Sequence, residues 1–443
     1  MEETLEFSDE IEGEEQFELD PKSKKIFSES KDPEVDGLYN KYKSGRLTLQ
    51  PAYQREYVWD SKKASKLIES VLLAIPLPII YLSQEKDGRE NAIDGQQRLT
   101  SFFAFIDGKF PDGKFFKLSG LKVLPKLNGN SFSELDETDQ AKIKYYTIRT
   151  VTFQNGSDED LKFEIFERLN TGSVQLNDQE LRNCIYRGPL NDALKDMARD
   201  PDFMHICGFK AADKRMRDVD LVLRFIAFRH YSYLKYKPPI KSFLNTVARE
   251  LKNISDADLI KLKKSFRNAC QNIRSLLDTN SFRTFYAGAK DNPEGHWEIK
   301  FNFSLFDILM YTFAEADKNQ VYANLDCIRE SFIDLMTTDE NFIKSIEIST
   351  SSIQAVKQRF DIWRLRLDQI FENQNKQKRC FTFELKNQLF KNNGNCGLCG
   401  QQILSVDDSA VDHIEQYWLG GKTIPENARL THRYCNAARP RKE

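Results

Sequence analysis

The chain contains no apolar run long enough to cross a bilayer. Its longest, VLLAIPLPIIYL from Val71 to Leu82, spans 12 residues and includes two prolines, against the roughly 20 that a membrane helix needs. A basic start is missing too. The first twenty residues carry ten Asp or Glu and no Lys or Arg, the reverse of a secretory leader. Cysteine is sparse, at eight in 443 residues, and does not suggest a disulfide framework. No internal repeat is present. These absences point to a globular, cytoplasmic protein without membrane association, in which five scattered thiols (Cys184, Cys207, Cys270, Cys327, Cys380) are buried and reduced.

A length of 443 residues allows two or three domains, each with its own core. The formal charge of -2 hides an uneven layout. Residues 1–25 are expected to be a disordered acidic tail, since so little apolar surface cannot offset the entropy of ordering. Residues 26–190 read as α/β, 191–375 as a helical domain, and 376–443 as a compact C-terminal unit. The fold class expected is multidomain α+β.

In the first domain, Ala64, Leu67, Ile68, Val71, Leu72 and Ile75 follow the spacing of one buried helix face, capped by Asp60 or Ser61 and ended by Pro76 and Pro78. Ile79 to Leu82 predicts a strand, Asp87-Gly88 a hairpin turn, and Asn91 to Ile93 the returning strand. Helices follow over Gln97 to Ile106 and from about Asp158 to Leu169, the latter capped by Ser157 and stopped at Asn170-Thr171-Gly172. A strand lies between them, around Tyr146 to Phe153. Farther on, Leu259 to Leu276 and Ile353 to Leu367 carry apolar stripes that read as core faces. Phe371 to Arg379 reads as a linker.

The remaining three cysteines sit with a histidine near the C-terminus. Cys396-x2-Cys399 and His432-x2-Cys435 have the pair spacing of a tetrahedral, structural Zn²⁺ site, with 32 residues between the pairs. The alternative is four unliganded core residues. Inside this clamp stand Asp412-His413, then Asn427, with Asn436 directly after the last cysteine. A neutral imidazole can take a proton from water near pH 7. A hard cation on oxygen ligands can neutralise charge on a phosphate.

On these residues the segment resembles the zinc-bearing HNH, or ββα-metal, endonucleases. The resemblance implies His413 as general base, Asp412 and Asn436 as ligands of a catalytic Mg²⁺ or Mn²⁺, and Asn427 as the brace of the loop orienting His413. Two departures stand out: His432 replaces a common cysteine, and the proline often found after DHI is absent. The GGKT stretch (Gly420 to Thr423) lacks the context of a phosphate-binding loop and reads as a turn between strands. A zinc module that binds DNA without cutting is the other reading. Under either, Arg433, Arg439, Arg441 and Lys442 are candidate contacts to the DNA backbone.

The stretch NAIDGQQRLTSFF puts Asp94, Gly95, Gln96, Gln97 and Arg98 at a strand-to-helix junction. A glycine there lets backbone amides approach an anion, the helix N-terminus adds positive charge, and Arg98 supplies a fork for phosphate oxygens. Taken alone, the same cluster also fits a common helix-capping turn. With PAYQREYVW (Pro51 to Trp59) and FERLNTGSVQLNDQELRN (Phe166 to Asn183), it resembles the N-terminal domain of the GmrSD-type modification-dependent restriction proteins over roughly residues 35–235. That resemblance implies a ParB/sulfiredoxin-like fold and a nucleoside triphosphate, GTP or ATP, bound by Asp94 to Arg98, with Gln54, Arg55 and Asn170 around the pocket.

Together these readings predict a type IV-like antiphage endonuclease. NTP binding or hydrolysis and the sensing of modified double-stranded DNA, such as phage DNA, would be coupled to metal-dependent cutting or nicking by the HNH domain. The alternative is a nucleotide-dependent DNA-binding regulator with an idle HNH fold. Assembly into a homo-oligomer is left open.

Overall fold

A computed structural model describes residues 25–49, 57, 59–169, 176–288, 295–372 and 380–439. The acidic tail up to residue 24, Gln54, Arg55, Asn170 to Gly172, Arg441 and Lys442 lie outside the described residues, as does all of the linker beyond Glu372. The chain forms two compact units, one of residues 25–192 with 214–217, the other of residues 193–213 with 218–439.

The first unit is built on β1 (Ser28–Lys31), α1 (Val35–Lys43), β2 (Leu47–Thr48), α2 (Ser61–Leu72), β3 (Ile80–Gln84), β4 (Glu90–Asp94), α3 (Gln96–Asp107), α4 (Glu137–Lys144), β5 (Thr150–Phe153), α5 (Glu159–Leu169) and α6 (Asp178–Ile185). Its strands form one sheet in the order β1-β5-β3-β4-β2. The β3–β4 hairpin is antiparallel, whereas β3 runs parallel to β5. Helices α2 and α3 bury Ile68, Leu99, Phe102 and Phe105 in a core with Ile80, Leu82 and Ala92 from the sheet. Each large apolar side chain buried there contributes about 1.5–3 kcal/mol.

Several local expectations shift. Asp60 caps α2 by accepting from the Lys63 N–H, and the helix ends at Leu72, before either proline is reached. Ile75 therefore falls outside it and is 47% exposed. At α5 the capping oxygen comes from Asp158, which accepts from Leu161. Ser157 instead exchanges hydrogen bonds with the Phe27 backbone, tying down the approach to β1. β5 keeps only the second half of the expected strand.

The second unit is helical through α7 (Pro189–Ala198), α8 (Pro201–Cys207), α9 (Arg217–Tyr231), α10 (Ile240–Leu251) and α11 (Asp256–Leu277). A small hairpin that periodicity did not signal follows, of β6 (Phe285–Tyr286) and β7 (His296–Trp297). Helices then resume with α12 (Phe303–Phe313), α13 (Lys318–Ala323), α14 (Leu325–Thr338), α15 (Glu340–Glu347) and α16 (Ile353–Glu372). The stripe on α11 is buried from Phe266 onward, and that on α16 from Val356 onward; Ile353 is exposed. At the centre of this helical core the fully buried Asp307 accepts from Arg224 at 2.5 and 2.8 Å and from Arg359 at 3.2 Å.

The same unit closes with α17 (Phe383–Asn392), β8 (Ser409–His413), β9 (Ala428–His432) and α18 (Arg433–Ala437). β8 and β9 pair antiparallel, with Asp412 opposite Arg429 and His413 opposite Ala428. Its local core is small: Cys396, Ile403 and Leu430, flanked by Leu389, Phe390 and Val411.

Candidate active site

The four residues expected to hold zinc meet. Their ligand atoms lie within 4.8 Å of one another, the span of a tetrahedral site with Zn–S bonds of about 2.3 Å. Cys396 and Cys399 lie on a tight turn, closed by Cys396 N–H to the Gln401 carbonyl at 2.8 Å and Gly400 N–H to the Cys396 carbonyl at 2.8 Å. His432 and Cys435 come from the end of β9 and from α18. His432 Nδ1 lies 3.4 Å from Cys399 Sγ and 3.8 Å from Cys435 Sγ, while its Nε2 lies 3.3 Å from the Gln402 carbonyl. A carbonyl on the far nitrogen fixes the ring and leaves Nδ1 for a metal.

Burial opposes ionisation of Cys396, but the N–H groups of Cys399, His432 and Leu398 outweigh it and bring its thiol down to about 6. Burial and the neighbouring sulfurs of Cys399 and Cys396 push Cys435 up to about 12. Crowded sulfurs of this kind are relieved by a divalent cation, which binds them as thiolates. The donor set fits zinc.

Asp412 and His413 end β8. Asp412 is nearly buried, and its Oδ2 accepts from Arg429 Nε at 2.9 Å, Arg429 Nη2 at 2.7 Å and Arg439 Nη1 at 2.6 Å. Its Oδ1 accepts no hydrogen bond among the described residues, nor does the half-buried Asn436 side chain on α18 make one. A carboxylate oxygen and an amide oxygen left open are each of the kind a hard cation such as Mg²⁺ or Mn²⁺ takes. Arg439 also donates to the carbonyls of His413 and Ile414, at 2.8 and 3.1 Å.

The His413 ring is held on three sides. Its Nε2 lies 2.9 Å from Thr423 Oγ1, and the rings of Phe381 and Tyr417 stand 4.4 and 5.5 Å away, centroid to centroid. Asn427 clips the connection between the strands. Its Oδ1 accepts from Glu415 N–H at 2.7 Å, and its Nδ2 donates to the carbonyls of Glu415 and Lys422 at 3.1 and 2.9 Å. Gly421 lies in this connection where a Cβ would run into the Glu415 carbonyl, so glycine is needed there. The GGKT stretch is thus part of the loop between β8 and β9, and it delivers Thr423 to the imidazole.

Sequence reasoning missed Thr423, Phe381 and Arg429, which reach the site through register and tertiary packing. It also misplaced Arg433. That side chain is 1% exposed and pairs with carboxylates inside the unit, so it offers nothing to a DNA backbone.

In the first unit, Asp94 ends β4, Gly95 adopts φ +96° and α3 begins at Gln96. A Cβ on Gly95 would meet Ile80 at 2.8 Å. Gln96 and Gln97 are buried. Arg98 donates to the Pro78 carbonyl, to the Ile79 carbonyl at 3.1 Å and to Asp94 Oδ2 at 2.9 Å. Burial lowers its pKa, with Asp94 acting against that. A cavity of about 570 Å³ opens elsewhere on this unit, lined by Tyr42, Leu47, Phe103, Asp107 and Lys109 among others, and includes none of residues 94–98.

A ββα strand pair and helix, a Cys3His cluster and an Asp-His pair at a strand end are the features of an HNH-type endonuclease domain. In agreement, residues 396–442 match the family model of the HNH endonucleases, and residues 35–187 match that of the GmrSD restriction endonuclease N-terminal domain. The chain joins a GmrSD-type N-terminal domain to a C-terminal HNH endonuclease domain, the architecture of a restriction-type nuclease. No curated protein matches it. Among the described residues no helix is long and apolar enough to cross a membrane.

Proposed function

We propose that this protein is a metal-dependent DNA endonuclease, with His413 as general base, whose cutting is governed by nucleoside triphosphate and by modification of the DNA. The observation that carries the reading is the pair at the end of β8: a carboxylate pinned on one oxygen and open on the other, next to an imidazole fixed by Thr423. In the tautomer whose Nε2–H donates to Thr423, Nδ1 is the basic nitrogen of the ring, the one that takes the proton as water attacks. The water oxygen then bonds to phosphorus, one P–O ester bond breaks, and the departing oxygen takes up a proton. A divalent ion held by Asp412 and Asn436 would neutralise charge on the phosphate. Asn427 would keep the His413 loop in register.

For the N-terminal domain, the nucleotide reading is supported by the N-terminus of the 12-residue α3 and by Arg98. Of that guanidinium's five N–H groups, Nε–H and one on Nη1 make no bond among the described residues, which suits an anion. Modified phage DNA as target, and GTP or ATP as nucleotide, follow from the kinship with GmrSD-type proteins.

The test is cleavage by the purified protein with Mg²⁺ or Mn²⁺, with and without GTP or ATP. Substrates are unmodified plasmid, DNA with glucosylated cytosine and phosphorothioated DNA, with His413→Ala as control. Cutting of one DNA type that responds to nucleotide, and falls about 10²–10⁴-fold in His413→Ala, supports the proposal. Nucleotide-dependent DNA binding without any cutting would replace it with the regulator reading.

A further inference from the structure

The short helix α18 carries more of the site than its five residues can hold in place. Its first residue follows the zinc ligand His432, its third is the zinc ligand Cys435, and its fourth is Asn436. Because the Asn436 side chain bonds to no described residue, its position depends on the α18 backbone. A single helical turn has almost no stability of its own. Zinc on His432 and Cys435 would hold it at two points, and a second anchor is built from protein alone.

That anchor is Arg433, and its partners come from the helical region. Its Nη2 donates to Glu330 Oε2 at 2.7 Å and its Nη1 to Asp334 Oδ1 at 2.7 Å. These carboxylates lie four residues apart on α14, on one face of that helix. Its Nε donates to the Asp407 carbonyl at 2.6 Å, and its backbone N–H to the Asp408 carbonyl at 2.9 Å. Glu330 Oε1 also accepts from the buried Lys386 of α17 at 3.0 Å. Asp407 accepts from Arg329 and from Trp297 Nε1, each at 2.9 Å. Three cations thus meet three carboxylates, drawn from α14, α17, the turn before β8, and α18, with the Trp297 indole of β7 donating to one of them. A pattern this balanced tolerates one geometry, since any slippage of α18 would leave a buried guanidinium short of partners.

We infer that Glu330 and Asp334 are positioning residues for the nuclease site: through Arg433 they fix α18, and with it the approach of Asn436 to the catalytic metal. Neither touches the metal or the DNA. The inference rests on the nuclease reading for its functional meaning, but it makes a claim about metal affinity that stands without activity.

The experiment uses the full chain carrying Glu330→Gln, Asp334→Asn or the charge-preserving Asp334→Glu. Binding of Mn²⁺ is followed by electron paramagnetic resonance, zinc content by elemental analysis, DNA affinity by anisotropy, and nicking as a function of Mg²⁺. The expected result is one zinc per chain and unchanged DNA affinity, with Mn²⁺ bound about 10–100-fold more weakly in Glu330→Gln and Asp334→Asn. Half-saturating Mg²⁺ for nicking should rise in parallel, and Asp334→Glu should recover most of the loss. Should Glu330→Gln fail to fold, the half-exposed Asp334 decides with its own pair of variants. Folded, zinc-loaded variants that bind Mn²⁺ as the wild type does would overturn the inference. A wild type that binds Mn²⁺ but cuts nothing would sink the nuclease reading alone, and the Mn²⁺ comparison would still decide this one.

Discussion

With His413 as the proposed general base, the orientation of its ring matters as much as its presence. An imidazole at a strand end can rotate, and here a hydroxyl ten residues downstream stops it. Thr423→Val keeps the shape and removes the bond. The nicking rate should fall about three- to ten-fold, the size of one neutral hydrogen bond, with DNA affinity unchanged in an anisotropy titration. An unchanged rate would mean that Phe381 and Tyr417 hold the ring by themselves. Asp412 and His413 were legible because they are adjacent in sequence. Arg429 was not: it lies 17 residues from Asp412 and meets it only through the β8–β9 register.

Two elements owe their stability to charges whose partners lie far away in sequence. Asp307 on α12 joins Arg224 on α9 to Arg359 on α16, all three inside the helical core. Asp307→Asn removes the carboxylate that these two buried guanidinium groups share. Urea unfolding should show a loss of about 3–5 kcal/mol; a loss under 1 would mean that backbone carbonyls such as Thr350 suffice for Arg359.

Lys386 on α17 makes a claim about pH. Burial and the nearby Arg433 lower its pKa from 10.5 to about 8, against the pull of Glu330. Between those two pH values the unfolded chain binds the proton and the folded chain does not. Stability from this group therefore rises with pH from about 8 towards 10.5, by at most about 1.4 kcal/mol per pH unit. The unfolding free energy of the wild type minus that of Lys386→Met should follow this slope. A flat difference would show that Lys386 stays charged against Glu330.

Across the whole molecule, metal is expected to matter unevenly. The ββα motif has only a handful of apolar residues in its core, and structural zinc couples on the order of 10–16 kcal/mol to folding. Cys396→Ser should lose zinc in elemental analysis. Hydrogen exchange should then quicken across residues 396–439 and leave residues 59–169, which have their own core, as slow as before. Equal protection in both proteins would mean that the contacts of Arg433 and Lys386 hold the motif without metal.

The sequence by itself determined what is local: the CxxC and HxxC pairs, the Asp-His dipeptide, the glycine at the β4–α3 junction, the hairpin turn at Asp87-Gly88 and the stripes on α2, α11 and α16. Each depends on residues within a turn or two of one another, where spacing alone sets which side chains share a face. Tertiary structure decided which charges are free. Arg433 reads as a surface arginine in a basic tail. It is buried because Asp334 and Glu330, 99 and 103 residues earlier, reach it from α14. Two Asp412 oxygens of equal standing in the sequence become one that is occupied and one that is open. A guanidinium's partner is set by distance in space, and no local pattern encodes that.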